Sequence, residues 1–313
     1  MDSEIKYVPV KNHGHPGTFK YNWFYYRSAI RAVLRPHRLH FKHPRYGRDD
    51  NFYYLESTWK RWHRLYNVPL TVNVPFTVYS YSASVGMMAI LKDLGVNFRH
   101  LLHLKSEIKI NQIMEPNFKY SIHYSFEEAL RIKKDKAAIV GTTKVIRNGV
   151  TYMEVKDHFV IKNVPEKYLA ILKNDTSNQF KGITRFIPEE LENPVIHELF
   201  IKENYARDYG RASGDKNIVH TTKFTSTIFG FGRPFIQGLC TANLIMSRLC
   251  MDGFTPEFFS IVFCKPVYLE SKVILKYTDK EYYLTDKKGH VLCFGKLMLK
   301  NITSRSIEEG ESA

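Results

Sequence analysis

The sequence has few cysteines and no long apolar run, and each absence excludes a class of protein. Its four cysteines all lie in the last third of the chain, and none is at Cys-x-x-Cys spacing. We therefore expect Cys240, Cys250, Cys264 and Cys293 to be reduced core residues in a reducing compartment. The run from Val85 to Leu91 is among the longest apolar stretches and is too short for a membrane-spanning helix, so we predict no transmembrane segment.

The chain also lacks common targeting signals. Residues 1–6 are acidic and do not contain the apolar stretch of a secretory signal, and the last three residues are not a Ser-Lys-Leu peroxisomal address. An arginine-rich segment near the start favours the mitochondrion, whereas the acidic first residues argue against an ordinary presequence. We expect an intracellular protein, and the mitochondrion, the cytoplasm and the peroxisome remain open.

Acidic residues are scarce relative to basic ones. The chain has 46 Lys and Arg against 31 Asp and Glu, which gives a formal net charge of +15. Such a surface favours anionic partners: the phosphates of CoA, an acidic acyl carrier protein, nucleic acid or an anionic membrane. The length of 313 residues and the apolar share of 44% indicate a globular chain with two domains of ordinary size.

The basic residues are concentrated near the amino terminus. Residues 21–66 interleave Lys and Arg with aromatic residues, a composition that suits RNA binding. Because no RNA-binding motif is present, we predict that the stretch instead docks an anionic protein or a larger assembly. Residues 21–35 have helical periodicity, which also suits a helix docked on its own protein or a targeting element. His37, His40 and His43 lie between prolines, which indicates a solvated loop rather than a metal site.

A group of residues suited to proton transfer lies further along the chain, at Ser213, Gly214, Asp215, Asn217 and His220. The two small residues favour a tight turn, where a carboxylate, an amide and an imidazole could converge on one water molecule. Asp215 or His220 could take a proton from that water, and Asn217 could hold the water or a neighbouring side chain in place. Each residue alone has a structural explanation, but their joint spacing predicts a site for acid-base chemistry.

A second feature begins at Gly238. The residues Leu239, Ala242, Met246 and Leu249 follow at the spacing of a buried helical stripe. A glycine in the first turn of such a helix leaves a backbone N–H unobstructed at the positive end of the helix dipole. That N–H could hold a carbonyl oxygen as the oxygen gains negative charge.

Together, Ser-Gly-Asp-x-Asn-x-x-His and the later Ile-x-Gly-Leu before an apolar helix resemble the signature of a known family. The family is the MaoC-like (R)-specific enoyl-thioester hydratases, also called type 2 hydroxyacyl-thioester dehydratases, in their double-hotdog form. The resemblance covers about residues 67–300. It implies an α+β fold in which each of two units wraps an antiparallel sheet around a central helix.

The resemblance also implies an activity and the residues that perform it. The activity is the reversible hydration of trans-2-enoyl thioesters to (R)-3-hydroxyacyl thioesters of CoA or an acyl carrier protein, in fatty acid metabolism. Asp215 and His220 would be the catalytic pair, Asn217 would orient the water or a side chain, and Gly238 would supply the oxyanion contact. No metal and no cofactor is implied.

The chain departs from the family at two positions near the motif. Ile218 stands where the family usually has proline, and Gln237 stands where it usually has histidine. Neither departure removes a catalytic group, but both bear on the geometry of the turn and the fit of the substrate. The alternative function is a noncatalytic hotdog scaffold subunit that docks in a larger assembly through its basic amino-terminal arm.

The resemblance and the composition divide the chain into five parts: a basic aromatic extension (1–66), a first hotdog unit without the motif (67–172), a linker (173–194), a second unit with the motif (195–300) and a polar tail (301–313). In the first unit, residues 76–94 form an apolar segment suited to the central helix. Asn148-Gly149 predicts a two-residue hairpin that joins two strands. In the second unit, we expect a helix near 238–251 and four strands after it.

Overall fold

The computed structural model describes residues 7–9, 39, 45–78, 94–97, 100–127, 129–175 and 190–301. Several expectations fall on other parts of the chain and lie outside the described residues. These are the helix at 21–35, nearly all of the histidine loop, residues 79–93 of the apolar segment, residues 176–189 of the linker and the tail after residue 301.

The described residues form both helices and strands, as an α+β fold requires. The helices are α1 (Glu56–Tyr66), α2 (Glu166–Leu169), α3 (Tyr205–Ser213), α4 (Lys223–Ile228) and α5 (Gly238–Met251), with a 3₁₀ turn at Ile218–His220 between α3 and α4. The strands are β1 (Tyr7–Pro9), β2 (Arg45–Tyr54), β3 (Leu101–Ile110), β4 (Phe118–Phe126), β5 (Leu130–Lys133), β6 (Lys136–Arg147), β7 (Val150–Ile161), β8 (Lys173–Asn174), β9 (Val195–Ile201), β10 (Phe254–Phe263), β11 (Ser271–Tyr277), β12 (Glu281–Asp286) and β13 (Val291–Asn301).

The strands join into one sheet that contains two halves. Along the sheet the order is β1-β2-β4-β6-β7-β3-β10-β13-β12-β11-β9, and β5 and β8 pair beside β6. The halves meet where β3 pairs antiparallel with β10. The hairpin prediction is confirmed, because Asn148 and Gly149 both have positive φ and join β6 to β7. The second unit also follows the prediction, with α5 at Gly238–Met251 and four antiparallel strands after it.

Helix α5 is the central element of the second half. Most of its residues are buried, and it packs against β10, as an apolar helix wrapped by a sheet must. Its first turn is held from the first half, because Tyr66 in α1 donates a hydrogen bond to the Cys240 carbonyl at 3.2 Å. Further along, the Asn243 side chain bonds both the backbone N–H and the hydroxyl of Thr77, at 3.0 and 3.2 Å.

The structure places residues 45–66 of the predicted extension within the folded unit. Strand β2 pairs antiparallel with β4, and α1 contacts both α3 and α5. Trp62 is fully buried, stacks near Phe76 and meets Tyr209 edge to face. The aromatic residues of α1 therefore belong to the core, and a truncation that tests the arm alone must end before Arg45.

Two further expectations concern the cysteines and membrane-spanning helices. All four cysteines are unpaired thiols; Cys240, Cys250 and Cys293 are buried, and Cys264 is half-buried. Among the described residues, no helix combines the length and the apolarity needed to cross a bilayer.

Candidate functional site

The turn that carries Asp215 is shaped by the small residues before it. Helix α3 ends at Ser213, and Gly214 has the left-handed φ of 78° that an L side chain rarely adopts. The Ser213 hydroxyl accepts a hydrogen bond from the Asp215 N–H at 3.1 Å, and Asp215 Oδ1 accepts one from the Asn217 N–H at 3.3 Å. The predicted tight turn is therefore present.

A glycine inside α3 allows this turn to fold back on the helix. A Cβ on Gly210 would lie 2.8 Å from the carbonyl oxygen of Asp215, which is closer than backbone atoms tolerate. Sequence reasoning did not include Gly210 in the site. A glycine within a helical stretch is nevertheless a usable signal, because it costs helix stability and so marks a close approach.

Asn217 and His220 lie at opposite ends of the 3₁₀ turn. Asn217 is exposed, and its Oδ1 accepts a hydrogen bond from the Val219 N–H at 3.2 Å, so the side chain caps the turn that presents His220. Its predicted role of holding a water molecule stays a prediction. In the structure, Asn217 contributes to the site by stabilising the 3₁₀ turn.

His220 is fixed by a backbone carbonyl. Its Nδ1 lies 3.1 Å from the Phe235 carbonyl oxygen, which can only accept a hydrogen bond, so Nδ1 carries the proton of the neutral ring and Nε2 is the basic nitrogen. Burial lowers the pKa of His220, while the Asp215 carboxylate and the Phe235 carbonyl act in the opposite direction. A neutral imidazole with a basic Nε2 is the form that a general base requires.

The Asp215 carboxylate acts electrostatically on His220 and on the first turn of α5. Besides acting on His220, its negative charge helps to raise the pKa of the Cys240 thiol to about 12, a shift caused mainly by burial. Cys240 is two residues after Gly238. Hydrogen bonds from Gln237 to the Asp215 carbonyl and from His220 to the Phe235 carbonyl hold the turn beside the residues that precede α5. A shared water between the two side chains stays a prediction.

Gln237 connects the turn to the helix. Its side-chain Nε2 donates to the carbonyl oxygens of Ala206 and Asp215, both at 3.2 Å, and the residue is buried. Both partners are acceptors, which fixes the orientation of the amide. Its Oε1 is buried without a hydrogen-bond partner among the described residues. Sequence reasoning noted Gln237 only as a departure and missed this bridging contact.

Gly238 is the first residue of α5, directly after its N-cap at Gln237. The N–H groups of a first turn have no acceptor within the helix and lie at its positive end. A Cβ on Gly238 would lie 2.8 Å from the ring of Phe263 in β10. The absence of a side chain therefore lets the helix start close against this ring.

A second polar cluster lies in the first half and was missed by sequence reasoning. The Ser106 hydroxyl donates to Asp157 at 2.6 Å, and Nε2 of His103 lies 3.0 Å from both of these groups. Because the serine proton points to Asp157, Ser106 is not arranged as a nucleophile. The His103 ring lies 5.0 Å from that of Phe263, one aromatic ring away from Gly238. No local motif marks these residues, since strand pairing brings them together.

Comparison with known proteins gives structural matches only. No protein-family model and no curated protein sequence matches the chain. HtdX of Mycobacterium tuberculosis is 16% identical, and the match covers 81% of this chain and 99% of HtdX with a TM-score of 0.63. A MaoC-like dehydratase from Phytophthora capsici is 11% identical, covering 83% and 95% of the two chains with a TM-score of 0.58.

A third match is the peroxisomal multifunctional enzyme type 2 of Drosophila melanogaster. It is 14% identical, has a TM-score of 0.57 and covers 82% of this chain and 48% of that enzyme. This chain has the fold of the MaoC-like dehydratases. The predicted α+β hotdog class is thereby confirmed, with the two halves joined through β3 and β10.

Within this MaoC-like fold, the two departures from the motif have different surroundings. Ile218 begins the 3₁₀ turn and is 44% exposed, so the side chain that replaces proline points largely to solvent. Gln237 is buried between α3 and the turn. No group of three or more His, Cys, Asp or Glu in the described part of the chain is placed to hold a metal ion.

The contact between Gly238 and Phe263 leads to a test by double-mutant cycle. Gly238→Ala should lower the free energy of unfolding by about 1–3 kcal/mol, because overpacking outweighs the helix propensity of alanine. In a Phe263→Ala background the same substitution should cost nothing, since the colliding ring is gone. Urea unfolding of the four proteins measures both values. Equal costs in the two backgrounds would show that Phe263 does not restrict Gly238.

Proposed function

We propose that this chain catalyses the reversible hydration of trans-2-enoyl thioesters to (R)-3-hydroxyacyl thioesters. The observation that carries the proposal is a pair of hydrogen bonds that hold Asp215 and His220 against the residues before α5: Gln237 Nε2 donates to the Asp215 carbonyl, and His220 Nδ1 donates to the Phe235 carbonyl. The structural matches described as MaoC-like dehydratases agree with the same class of reaction. A carboxylate and a neutral imidazole beside a helix amide are the groups that this reaction needs.

In the proposed reaction, a single water molecule donates two hydrogen bonds. One goes to the Asp215 carboxylate and the other to Nε2 of His220. One of these groups takes a proton from the water as the water oxygen bonds to C3 of the substrate. The electron pair of the C2=C3 bond then moves onto the thioester oxygen. When this enolate collapses, C2 takes the proton back from the same group. Both new bonds form on one face, so the addition is syn and one water is consumed.

The Gly238 N–H is proposed to donate to the thioester oxygen while that oxygen carries the enolate charge. A donor at the positive end of a helix stabilises such charge without reorganising, and one such donor is worth about 10² to 10³ in rate. Gln237 supports this arrangement. It directly precedes Gly238, and its side chain bonds the Asp215 backbone carbonyl. Asn217 completes the site by capping the turn that carries His220.

The acyl group is proposed to be carried by CoA or by an acyl carrier protein, in fatty acid metabolism. Both carriers are anionic, and the net charge of +15 favours their approach. The proton balance closes with Asp215, His220 and one water, so the proposal includes no metal and no redox cofactor. The first half, which lacks the motif, is proposed to provide a wall for the acyl chain.

Substitution of the catalytic pair tests the proposal. Asp215→Asn and His220→Ala should each lower the rate of crotonyl-CoA hydration by about 10² to 10⁴ while the protein stays folded. Asp286→Asn and His290→Ala are matched controls, because this pair is 2.9 Å apart where β12 ends in an exposed turn. The controls should keep the wild-type rate. Wild-type rates in the first two variants would refute the roles, and no hydration by the intact protein would favour the scaffold alternative.

The lowered pKa of His220 leads to an expected pH dependence. An ordinary histidine is half protonated at a pH of about 6.5, and its neutral form disappears as the pH falls further. Because burial lowers the pKa of His220, the neutral base persists below that pH. The value of kcat/KM should therefore fall on the acid side only at a pH below about 6.5. A pH-rate profile for crotonyl-CoA checks this, and an acid limb above that pH would contradict a buried neutral base.

A further inference from the structure

The segment at residues 216–237, which runs from within the site turn to the start of α5, exposes large apolar side chains. Phe224 is 76% exposed, Ile228 56%, Ile218 44% and Phe229 37%. We call these four residues the apolar patch. Phe224 and Ile228 are four residues apart in α4, so their side chains are neighbours on its outer side. Such a patch on a protein surface usually marks an interaction site.

The apolar patch is held in place by hydrogen bonds beneath it. The buried Ser226 hydroxyl donates to the Val219 carbonyl at 2.6 Å, and the Thr225 hydroxyl donates to the Ile218 carbonyl at 2.6 Å. Thr222 caps the start of α4 by accepting from the Thr225 N–H at 3.4 Å. These bonds join α4 to the 3₁₀ turn, so the outward direction of Phe224 and Ile228 is built into the fold.

After Asp215, every charged side chain of residues 216–237 is basic. No Asp or Glu occurs between residues 216 and 251, whereas Lys216, Lys223 and Arg233 lie within the segment that carries the apolar patch. We call these three residues the cationic rim. Arg211 is close enough to Lys216 to contribute to the lowering of its pKa, behind the larger effect of burial. The segment thus combines exposed apolar side chains with positive charge.

This combination favours an anionic lipid surface over a second copy of the chain. A symmetric dimer through the apolar patch would bring the cationic rims of both copies into one interface, where positive charges close together are unfavourable. A bilayer with anionic lipids offers phosphates and carboxylates to the lysines and arginine, and an apolar layer directly beneath them. We propose that the apolar patch inserts into the headgroup region of an anionic membrane while the cationic rim contacts its charged headgroups.

His220 belongs to the same segment, so membrane contact would hold the candidate site next to the bilayer surface. The inference does not depend on the proposed function, because it concerns binding and not chemistry. It also does not use residues 21–44, which supply positive charge of their own. The experiment must therefore separate insertion of the apolar patch from general attraction of a chain with net charge +15.

Vesicle co-sedimentation of the full chain makes this separation. Vesicles of phosphatidylcholine that contain phosphatidylserine should bind the protein, and vesicles of phosphatidylcholine alone should bind it much more weakly. The double variant Phe224→Ser with Ile228→Ser keeps every charge and should bind the anionic vesicles about tenfold or more weaker. Lys223→Gln should bind about fivefold weaker. Phe200→Ser is the matched control, since Phe200 is 54% exposed on β9, and should bind as the wild type does.

Three results would overturn the inference. One is a failure of the wild type to bind anionic vesicles. The second is equal binding by the wild type and the double variant, which would assign binding to charge elsewhere on the chain. The third is a dimer in sedimentation velocity that dissociates in the double variant, which would assign the apolar patch to a second copy. Circular dichroism of each variant verifies that the fold is retained.

Discussion

Two hydrogen bonds hold the candidate site together, and both attach the turn at 215–220 to the residues before α5. Gln237 Nε2 donates to the Asp215 carbonyl, and His220 Nδ1 donates to the Phe235 carbonyl. Without them, the carboxylate and imidazole would be attached only to a surface turn. With them, the turn that carries both groups has a fixed position relative to Gly238 at the start of α5. The proposed chemistry requires such a fixed arrangement of the reacting groups.

The surrounding fold makes this attachment possible through close backbone approach. Gly210 lets the turn fold against α3, and Gly238 lets α5 start against the ring of Phe263. From the opposite side, α1 fixes the same elements, since Tyr66 bonds the first turn of α5 and Arg61 donates to the Arg211 carbonyl at the end of α3. The second half therefore carries the motif, while residues before the predicted first unit hold it in position.

The sequence predicted the local features and missed those that depend on distant pairing. The motif from Asp215 to His220, the α5 helix and the Asn148-Gly149 hairpin rest on short spacings that one stretch of chain determines. Strand β2 was assigned to the extension because its charged residues hide the apolar alternation of a strand. The bridge made by Gln237 joins elements far apart in sequence.

The exposed apolar face of α4 was also not predictable from spacing. Apolar residues four apart, such as Phe224 and Ile228, normally predict a buried face, but here the inner side of α4 is occupied by Ser226.

The central claim is that Asp215 and His220 act on one shared water molecule. The most direct test is hydration of crotonyl-CoA in deuterated water, with the configuration at C2 of the product determined by proton NMR. A single shared water predicts one diastereomer, in which the deuterium at C2 and the oxygen at C3 were added to the same face. Addition to opposite faces, or a mixture of both diastereomers at C2 formed by the enzyme itself, would contradict the claim.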